Sequence, residues 1–257
     1  MTYLGKSDRF LAAKTGWLFV LFSIVLISLL PCFAHAALTR DANVSRNQST
    51  ASITTPAFST TSGNELLLAF ISTGYLSGAN TTVTGVSGGG LNWVLVQRTN
   101  VQSGTSEIWR AFATSALSNV TVTATLSQSV SSSLTVMSFA GVDTTGTNGS
   151  GAIGATGSSN ASSGAQTASL TTTRNGSWVM GVGNDFDGAI ARNVGPNQTM
   201  VHQYLTPPGY WVDTFWVQMY SAPTPTSGTT VTINDTAPTY DRYNLSICEV
   251  LPAGSVP

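Results

Sequence analysis

Alternation of polar and apolar residues at a period of two runs through most of this chain and restricts it to few fold classes. Thr, Val, Ser and aromatic residues alternate from about residue 51 onwards. No window there carries apolar residues at the i, i+3, i+4, i+7 spacing of an amphipathic helix. Gly, Pro, Asn and Ser separate the alternating segments. This pattern predicts an all-β fold, an antiparallel β-sandwich of jelly-roll or immunoglobulin-like type.

The alternating segments form two sets of predicted strands. The first set lies near 51–60, 65–73, 81–86, 92–99, 105–113, 119–127 and 133–141. The second set lies near 167–173, 177–184, 198–205, 213–220, 229–234 and 243–250. Between the sets, the Gly-, Ser-, Thr- and Asn-rich stretch from Thr144 to Gln166 is interpreted as a flexible connection or an exposed loop.

The two sets match each other in order, at offsets of 107 to 112 residues. The matches are Phe58-Ser-Thr-Thr with Leu170-Thr-Thr-Thr, Leu66-Leu-Leu with Trp178-Val-Met, Glu107-Ile-Trp with Thr214-Phe-Trp, Val120-Thr-Val with Val231-Thr-Ile, and Leu134-Thr-Val with Leu245-Ser-Ile. They predict an internal duplication with halves at 37–146 and 147–257. Two tandem sandwiches and one fused sandwich over 37–257 both satisfy this pattern.

The N-terminal residues 1–36 have the layout of a secretory signal peptide. Lys6, Arg9 and Lys14 precede an uncharged apolar run, and Ala34-His-Ala supplies a small-x-small cleavage site. A retained membrane anchor is the alternative, since the run approaches the length of a short span. A lipoprotein site at Cys32 is disfavoured because Pro31 precedes it. We therefore expect a secreted protein with no membrane attachment after cleavage.

Charge in the chain after residue 36 is sparse. Both lysines are lost with the signal segment, and seven arginines and ten acidic residues leave a net charge of −3 without clustering. Such a balance argues against nucleic acid or anionic lipid as a partner. Cys248 is the one remaining cysteine, so no intramolecular disulfide is possible, and His202 is the one remaining histidine. We interpret both as structural residues, and a zinc site is not expected.

A candidate metal site follows the strand predicted at 177–184. Asn184, Asp185 and Asp187 are oxygen-bearing residues near its end, and Gly188 follows them. Carboxylates at i and i+2 could bind Ca²⁺, although the further ligands of a calcium-binding helix–loop–helix do not follow. The alternatives are a β-turn in which the Asp side chains bind backbone amides, and a hydrolase that uses Asp185 and Asp187. Apart from this possible calcium, no cofactor is expected.

Aromatic residues are the candidate ligand contacts. Pro207-Pro-Gly-Tyr-Trp is interpreted as a loop that carries Tyr210 and Trp211, and Trp178 begins a strand. Aromatic rings on the loops of a β-sandwich can stack on sugar rings without any charge. A loop folded back onto the sheet is the alternative. Further along the chain, Asp241 and Arg242 could form a surface ion pair that orders a turn.

Several of these segments together resemble a β-sandwich module of secreted, often multidomain, bacterial proteins. They are Gly88-Gly-Gly-Leu-Asn-Trp, Glu107-Ile-Trp-Arg-Ala, Val120-Thr-Val-Thr, Ser138-Phe-Ala-Gly-Val-Asp, Gly176-Ser-Trp-Val-Met-Gly-Val-Gly-Asn-Asp-Phe-Asp, Asp213-Thr-Phe-Trp-Val-Gln and Asp241-Arg-Tyr-Asn-Leu. The resemblance covers roughly Ala51 to Val250. It implies an extracellular module, commonly an accessory to catalytic or adhesive domains, and it supplies no catalytic residues.

These observations lead to three hypotheses about function. The first is a secreted, non-catalytic β-sandwich protein that binds an extracellular polysaccharide or a cell-surface component through Tyr210, Trp211 and Trp178. The second is a structural extracellular or cell-surface protein without a small ligand, for which a Ser/Thr/Gly-rich surface lacking lysine would be suitable. The third and least favoured is a glycan-active hydrolase.

Overall fold

The computed structural model describes residues 37–209 and 212–254, and the predicted signal peptide at 1–36 lies outside them. The first half contains β1 (Thr39–Thr54), β2 (Glu65–Thr73), β3 (Val83–Gly88), β4 (Val94–Thr99), β5 (Thr105–Ala113) and β6 (Val122–Ala140). The second contains β7 (Ile153–Gly164), β8 (Thr167–Thr171), β9 (Trp178–Asp185), β10 (Asn193–Val194), β11 (Gln198–Leu205), β12 (Thr214–Tyr220), β13 (Thr230–Ala237) and β14 (Asp241–Val250). Within the described residues, no helix is long and apolar enough to cross a membrane.

Each half is built on a five-stranded antiparallel sheet. The orders are β1-β6-β2-β5-β4 in the first half and β11-β12-β9-β14-β7 in the second. A small sheet, β10-β13-β8, belongs to the second half. Its counterpart in the first half is formed by β3 and the distal parts of β1 and β6, beyond the irregularity between Thr50 and Ser52. The predicted antiparallel β-sandwich is confirmed.

Strand β2 shows how the layers are arranged, because it is buried on both faces. Leu66, Leu68 and Phe70 pack with residues of β9, β12 and β14 in a core between the two five-stranded sheets. Leu67 and Ile71 point to the opposite face, into a second core under the small sheet of the first half. The second half has its own core in the same position. The two sandwiches therefore pack face to face, and we call the layer between their large sheets the seam.

Hydrogen bonds close the seam along the side formed by β4 and β14. Thr99 Oγ1 and Ser246 Oγ are 2.7 Å apart, and the backbone N–H of Gln102 donates to Asn244 Oδ1 (2.9 Å). Ser246 Oγ also donates to the carbonyl of Ser106 (2.9 Å). These groups are buried and bonded to each other across the seam, so this side is fastened by polar contacts as well as apolar packing.

The two halves have equivalent strand orders, since β1-β6-β2-β5-β4 corresponds element for element to β7-β14-β9-β12-β11. The register corresponds too: Leu66 lies opposite Phe139, and Trp178 lies opposite Val250. These positions differ by 112 and 111 residues, the offsets of the matched sequence segments. An internal duplication predicts such an equivalence, and the duplication itself remains a prediction.

One of the five matches needs an adjustment. Ile71 lies opposite Glu107, whereas Gly183, 112 residues after Ile71, lies opposite Trp216. Glu107 is therefore equivalent to Trp216 and not to Thr214. Sequence matching aligned Trp109 with Trp216, which shifts the register by two residues. A shift of two keeps every side chain on the same face of the sheet, so the polar and apolar pattern did not reveal it.

The stretch from Thr144 to Gln166 is not a loop throughout, so this part of the sequence interpretation is wrong. It contains β7, whose backbone pairs with β14 from Val250 to Asp241. After Ile153 the strand contains only Gly, Ser, Ala, Asn and Thr, and it lies at the sheet edge with alternate side chains exposed. Small polar side chains show no alternation of polar and apolar residues. The pairing of β7 with β14 depends on backbone hydrogen bonds, so the sequence pattern did not predict it.

Candidate functional site

Loops from both halves meet at one end of the seam, and we call this surface the loop end. Its segments are 74–82, 100–104, 186–192, the described residues 206–209 and 212–213 of one loop, and 238–240. The pairing of Thr73 with Thr105 brings the first two together. Asp185 pairs with both Thr214 and Tyr243, which brings the other three together. Contacts across the seam place both sets at the same end.

Exposed apolar side chains are concentrated on this surface. In the described part of the chain, every exposed large hydrophobic residue lies in one of these segments: Leu76 (52%), Val101 (66%), Ile190 (41%), Val212 (48%) and Tyr240 (64%). Both halves contribute to this group. A concentration of exposed apolar side chains at one end of an otherwise polar surface is a property of interaction sites.

Polar contacts fix the shape of the first loop. The side chain of Gln128 accepts the backbone N–H of Leu76 (3.0 Å) and donates to the carbonyls of Ser77 (2.9 Å) and Ala79 (2.7 Å). Tyr75 packs edge-on against Phe186 of the second half, with the ring centroids 5.7 Å apart. The loop is therefore held in one position relative to the second half.

Beneath the loop end lies a buried arginine with two carboxylate partners. Arg192 Nη2 bonds to Asp185 Oδ2, and Arg192 Nη1 donates to Asp241 Oδ2 (2.6 Å). The guanidinium and both carboxylates are almost completely removed from solvent. Asp185 Oδ1 also accepts the backbone N–H of Asp187 (2.6 Å). Arg192 thus joins the end of β9, the loop after it and the start of β14.

Trp216 supports Arg192 from one side. The guanidinium carbon lies 4.8 Å from the centre of the indole ring, within the range of a cation–π contact. The backbone N–H of Arg192 donates to Gln203 Oε1 (2.7 Å). Trp216 itself fits closely over Gly183, where any side-chain carbon would clash with the ring. The missing side chain at Gly183 therefore leaves the room that Trp216 needs to face Arg192.

A third buried carboxylate, Asp235, lies on the neighbouring strand β13, and neither of its oxygens has a hydrogen-bond partner. Burial raises its pKa to about 7, and the charge of Arg192 opposes the shift only in part. Burial likewise raises the pKa of Asp185 to about 7, although Arg192 counteracts it. Asp185 and Asp235 are therefore close to protonation at neutral pH.

The first half has uncharged residues at the positions equivalent to these three carboxylates. By strand register and offset, Thr73, Ala124 and Val130 take the places of Asp185, Asp235 and Asp241. The buried ion pair of the first half is elsewhere, between Arg98 and Glu107 at 2.8 Å. The arginine–aspartate cluster thus distinguishes the second half, and it lies directly below the loops with exposed apolar residues.

Asp213 connects the loop end to the seam. Its backbone N–H donates to Thr206 Oγ1 (2.8 Å), and the backbone N–H of Thr206 donates back to its carbonyl (3.0 Å). The carboxyl group is buried against Gly74 of the first half, where a Cβ would lie 2.5 Å from Oδ2. Neither carboxyl oxygen has a hydrogen-bond partner. Burial therefore raises the pKa of Asp213 to about 7.

We expect Asp213→Asn to make stability less dependent on pH. In the unfolded chain an Asp titrates near a pKa of about 3.9, so the folded protein holds the extra proton between about pH 4 and pH 7. Stability is consequently lost as the pH rises through this window, by up to about 1.4 kcal/mol per unit of pKa difference. The variant should be more stable than the wild type at pH 8 in urea denaturation.

Asp143→Asn is the control, and the opposite effect on stability is expected for it. Burial acts to raise the pKa of Asp143, but hydrogen bonds from Thr145 and Arg174 outweigh it, and the pKa is lowered. This carboxylate stabilises the fold above its unfolded pKa and ceases to do so as the pH falls. Its removal should therefore destabilise the protein at pH 8. Equal stability of wild type and Asp213→Asn at pH 8 would contradict the expected result for Asp213.

The three predicted metal ligands do not point to a common position. Asn184 faces the seam, where its amide donates to the carbonyl of Ser103 (2.9 Å). Asp185 faces Arg192, and Asp187 is exposed and accepts the backbone N–H of Arg242 (2.9 Å). Among the described residues, no group of three or more His, Cys, Asp or Glu side chains is placed to hold a metal ion. Calcium binding here remains a prediction without a pre-arranged ligand set.

The suggested ion pair between Asp241 and Arg242 is also absent, which corrects that expectation. Asp241 binds Arg192 inside the protein, while Arg242 Nε lies 3.8 Å from Asp187 Oδ1 at the surface. Neighbouring residues on a strand point to opposite faces, so Asp241 and Arg242 cannot meet. Arg192 was not recognised from the sequence, since an isolated Arg in a loop has no periodic or motif signal.

The predicted ligand-binding aromatics are separated. Trp178 begins β9 and is half-buried, at the opposite end of that strand from Asp185. Tyr210 and Trp211 lie outside the described residues, although their neighbours Gly209 and Val212 belong to the loop end. The eight residues of β9 span roughly 23 Å at about 3.3 Å per residue step. Trp178 and the 206–213 loop therefore belong to different surfaces.

The remaining single residues have structural environments. Cys248 is fully buried in the seam, and burial, followed by the nearby Glu249, raises its pKa to about 12. His202 is within 3.0 Å of Asn47 Oδ1 across the seam, and burial lowers its pKa. Glu107 is fully buried and pairs with Arg98.

No protein-family profile matches the chain, and neither a curated protein nor a solved structure is significantly similar to it.

Proposed function

We propose that this is a secreted, non-catalytic protein that binds carbohydrate outside the cell through its loop end. The observation that carries the proposal is the concentration there of exposed apolar side chains from both halves, Leu76, Val101, Ile190, Val212 and Tyr240. A single half would supply only part of this surface. The seam holds the two contributions in a fixed relation, as a preorganised binding site requires.

The chemistry of the surface favours a neutral sugar. Its exposed charges, Asp187 and Arg242, neutralise each other. Apolar and aromatic side chains can cover the CH faces of sugar rings, while neighbouring backbone groups bond to hydroxyls. In the sequence, Tyr210 and Trp211 lie between Gly209 and Val212, which belong to this surface. The mutual hydrogen bonds of Thr206 and Asp213 hold the base of that loop.

We expect Trp211→Ala to weaken polysaccharide binding at least tenfold, about 1.4 kcal/mol, because large aromatic side chains contribute strongly to binding surfaces. Tryptophan fluorescence titration with soluble neutral polysaccharides, and co-sedimentation with cellulose and chitin, would measure this. Trp93→Phe is the control, since Trp93 is buried in the core of the first half. Binding that survives Trp211→Ala unchanged, or no binding to any polysaccharide, would exclude this site.

A further inference from the structure

A second surface depression lies at the other end of the molecule. It is an open groove of about 340 Å³ lined by Thr39, Arg40, Trp178, Thr199, Met219 and Ser221. The first two residues belong to β1 of the first half and the others to the second half. The groove therefore crosses the seam, and we call it the seam groove. Its distance from the loop end is about the length of β9.

The groove lies on the side of the seam that has fewer polar links. On the β4 and β14 side, a series of short hydrogen bonds fastens the sheets. On the β1 and β11 side, the contacts are His202 to Asn47 (3.0 Å) and Arg40 Nη1 to Met219 Sδ (3.9 Å). A thioether is a weak acceptor. Most of the hydrogen-bonding capacity of Arg40 is therefore available to a ligand.

Charge in the groove is unbalanced. Arg40 is exposed, and no described carboxylate forms an ion pair with it, whereas Arg98, Arg174, Arg192 and Arg242 each have one. The other lining residues are uncharged, and Thr39, Thr199 and Ser221 contribute hydroxyl groups. A guanidinium presents a planar set of donors that matches the two oxygens of a carboxylate. The groove thus has the electrostatics of a site for an anion.

Trp178 forms the apolar part of the groove. Its ring packs against Phe139 at 68°, with the centroids 6.4 Å apart. Its indole nitrogen is buried and has no acceptor, so the part of the ring that reaches the groove presents carbon. A cation, hydroxyl groups and an aromatic surface in one groove match a ring that bears a carboxylate, hydroxyls and CH groups.

We propose that the seam groove binds an acidic sugar, one uronate residue of an acidic polysaccharide. Its carboxylate pairs with Arg40, its ring lies against Trp178, and its hydroxyls bond to Thr39, Thr199 or Ser221. The volume is at the lower end of the range of about 300–1,000 Å³ for small-molecule sites, which suits a single sugar residue. This site is additional to the loop end and has different selectivity.

Isothermal titration of the purified protein with trigalacturonate and with the neutral sugar maltotriose tests the proposal. Trigalacturonate should bind, Arg40→Gln should weaken it at least tenfold, and a rise in salt from about 50 to 300 mM should weaken it several-fold. Arg46→Gln is the matched control: Arg46 is an exposed arginine of the same strand, opposite Leu134, which packs away from the seam. It should leave trigalacturonate binding unchanged.

Three results would overturn the proposal: no binding of trigalacturonate, equal binding by Arg40→Gln and the wild type, or equal loss in the Arg40 and Arg46 variants. Trp211→Ala separates the two sites. If it abolishes trigalacturonate binding while Arg40→Gln does not, the acidic sugar occupies the loop end, and the seam groove is refuted without harm to the proposed function. If trigalacturonate binding fails only in Arg40→Gln, the seam groove is supported, whatever the outcome for neutral polysaccharides.

Discussion

Replacement of Arg192 by Met is expected to lower the free energy of unfolding by about 3–5 kcal/mol at pH 8, the range observed when one partner of a buried ion pair is removed. Asp185 and Asp241 would each lose their cation while remaining out of contact with water. The side chain of Met replaces the apolar stem of Arg and carries no charge, so the main expected cause of the loss is the two stranded carboxylates. Urea denaturation would measure it.

The loss should be smaller at pH 5. A buried carboxyl without a partner takes up a proton instead of remaining charged, and the pKa of Asp185 is already raised to about 7. The control is Arg46→Met, an exposed arginine whose replacement should change stability by less than about 0.5 kcal/mol. A pH-independent loss in Arg192→Met would contradict the role of the stranded carboxylates, and a loss no larger than in the control would show that the cluster does not stabilise the fold.

Leu68→Ala is expected to destabilise both halves at once. Leu68 is fully buried in the seam, and truncation of a buried leucine costs about 2–5 kcal/mol. Because the seam is shared, hydrogen exchange measured by mass spectrometry should accelerate in β9 (Trp178–Asp185) as much as in β2 (Glu65–Thr73). Exchange in β9 is the informative measurement, because β9 is far from Leu68 in the sequence and contacts it only across the seam.

Leu67→Ala is a closely matched control. Leu67 is adjacent in sequence, has the same side chain and is equally buried, but it packs in the core of the first half alone. Its truncation should accelerate exchange in β2 more than in β9. If both variants accelerate hydrogen exchange in β9 equally, the effect on β9 comes from global unfolding and not from the loss of a seam contact.

Much of the fold could be predicted from period-two alternation and from the turn residues between the strands. The central strands β2 and β9 are buried on both faces, and in the sequence they are short apolar runs. The second-half strands from 167 onwards agree closely with β8, β9, β11, β12, β13 and β14. The beginning of β1 at Thr39 and all of β7 were missed. Both are edge strands in which polar residues predominate, and their pairing depends on backbone groups, so it leaves little trace in the side-chain pattern.

The site was less predictable than the fold. Asp185 stood out in the sequence as a carboxylate at a strand end, but its partner Arg192 is a loop residue that only the tertiary structure brings beneath it. The metal interpretation treated Asn184, Asp185 and Asp187 as neighbours in space. The pleat sends Asn184 into the seam and Asp185 to the other face. The loop end is formed by five segments from both halves, and no local pattern contains that information.

The seam uses equivalent faces of two sheets with the same strand order, with β2 of one half against β9 of the other. Two separate chains that met in this way would form a dimer with an approximate twofold axis. Here residues 141–152 connect the last strand of one partner to the first strand of the other. The connection makes the association intramolecular, so it persists at any dilution. A large fall in protein concentration would therefore leave the seam intact, whereas it would separate two independent chains.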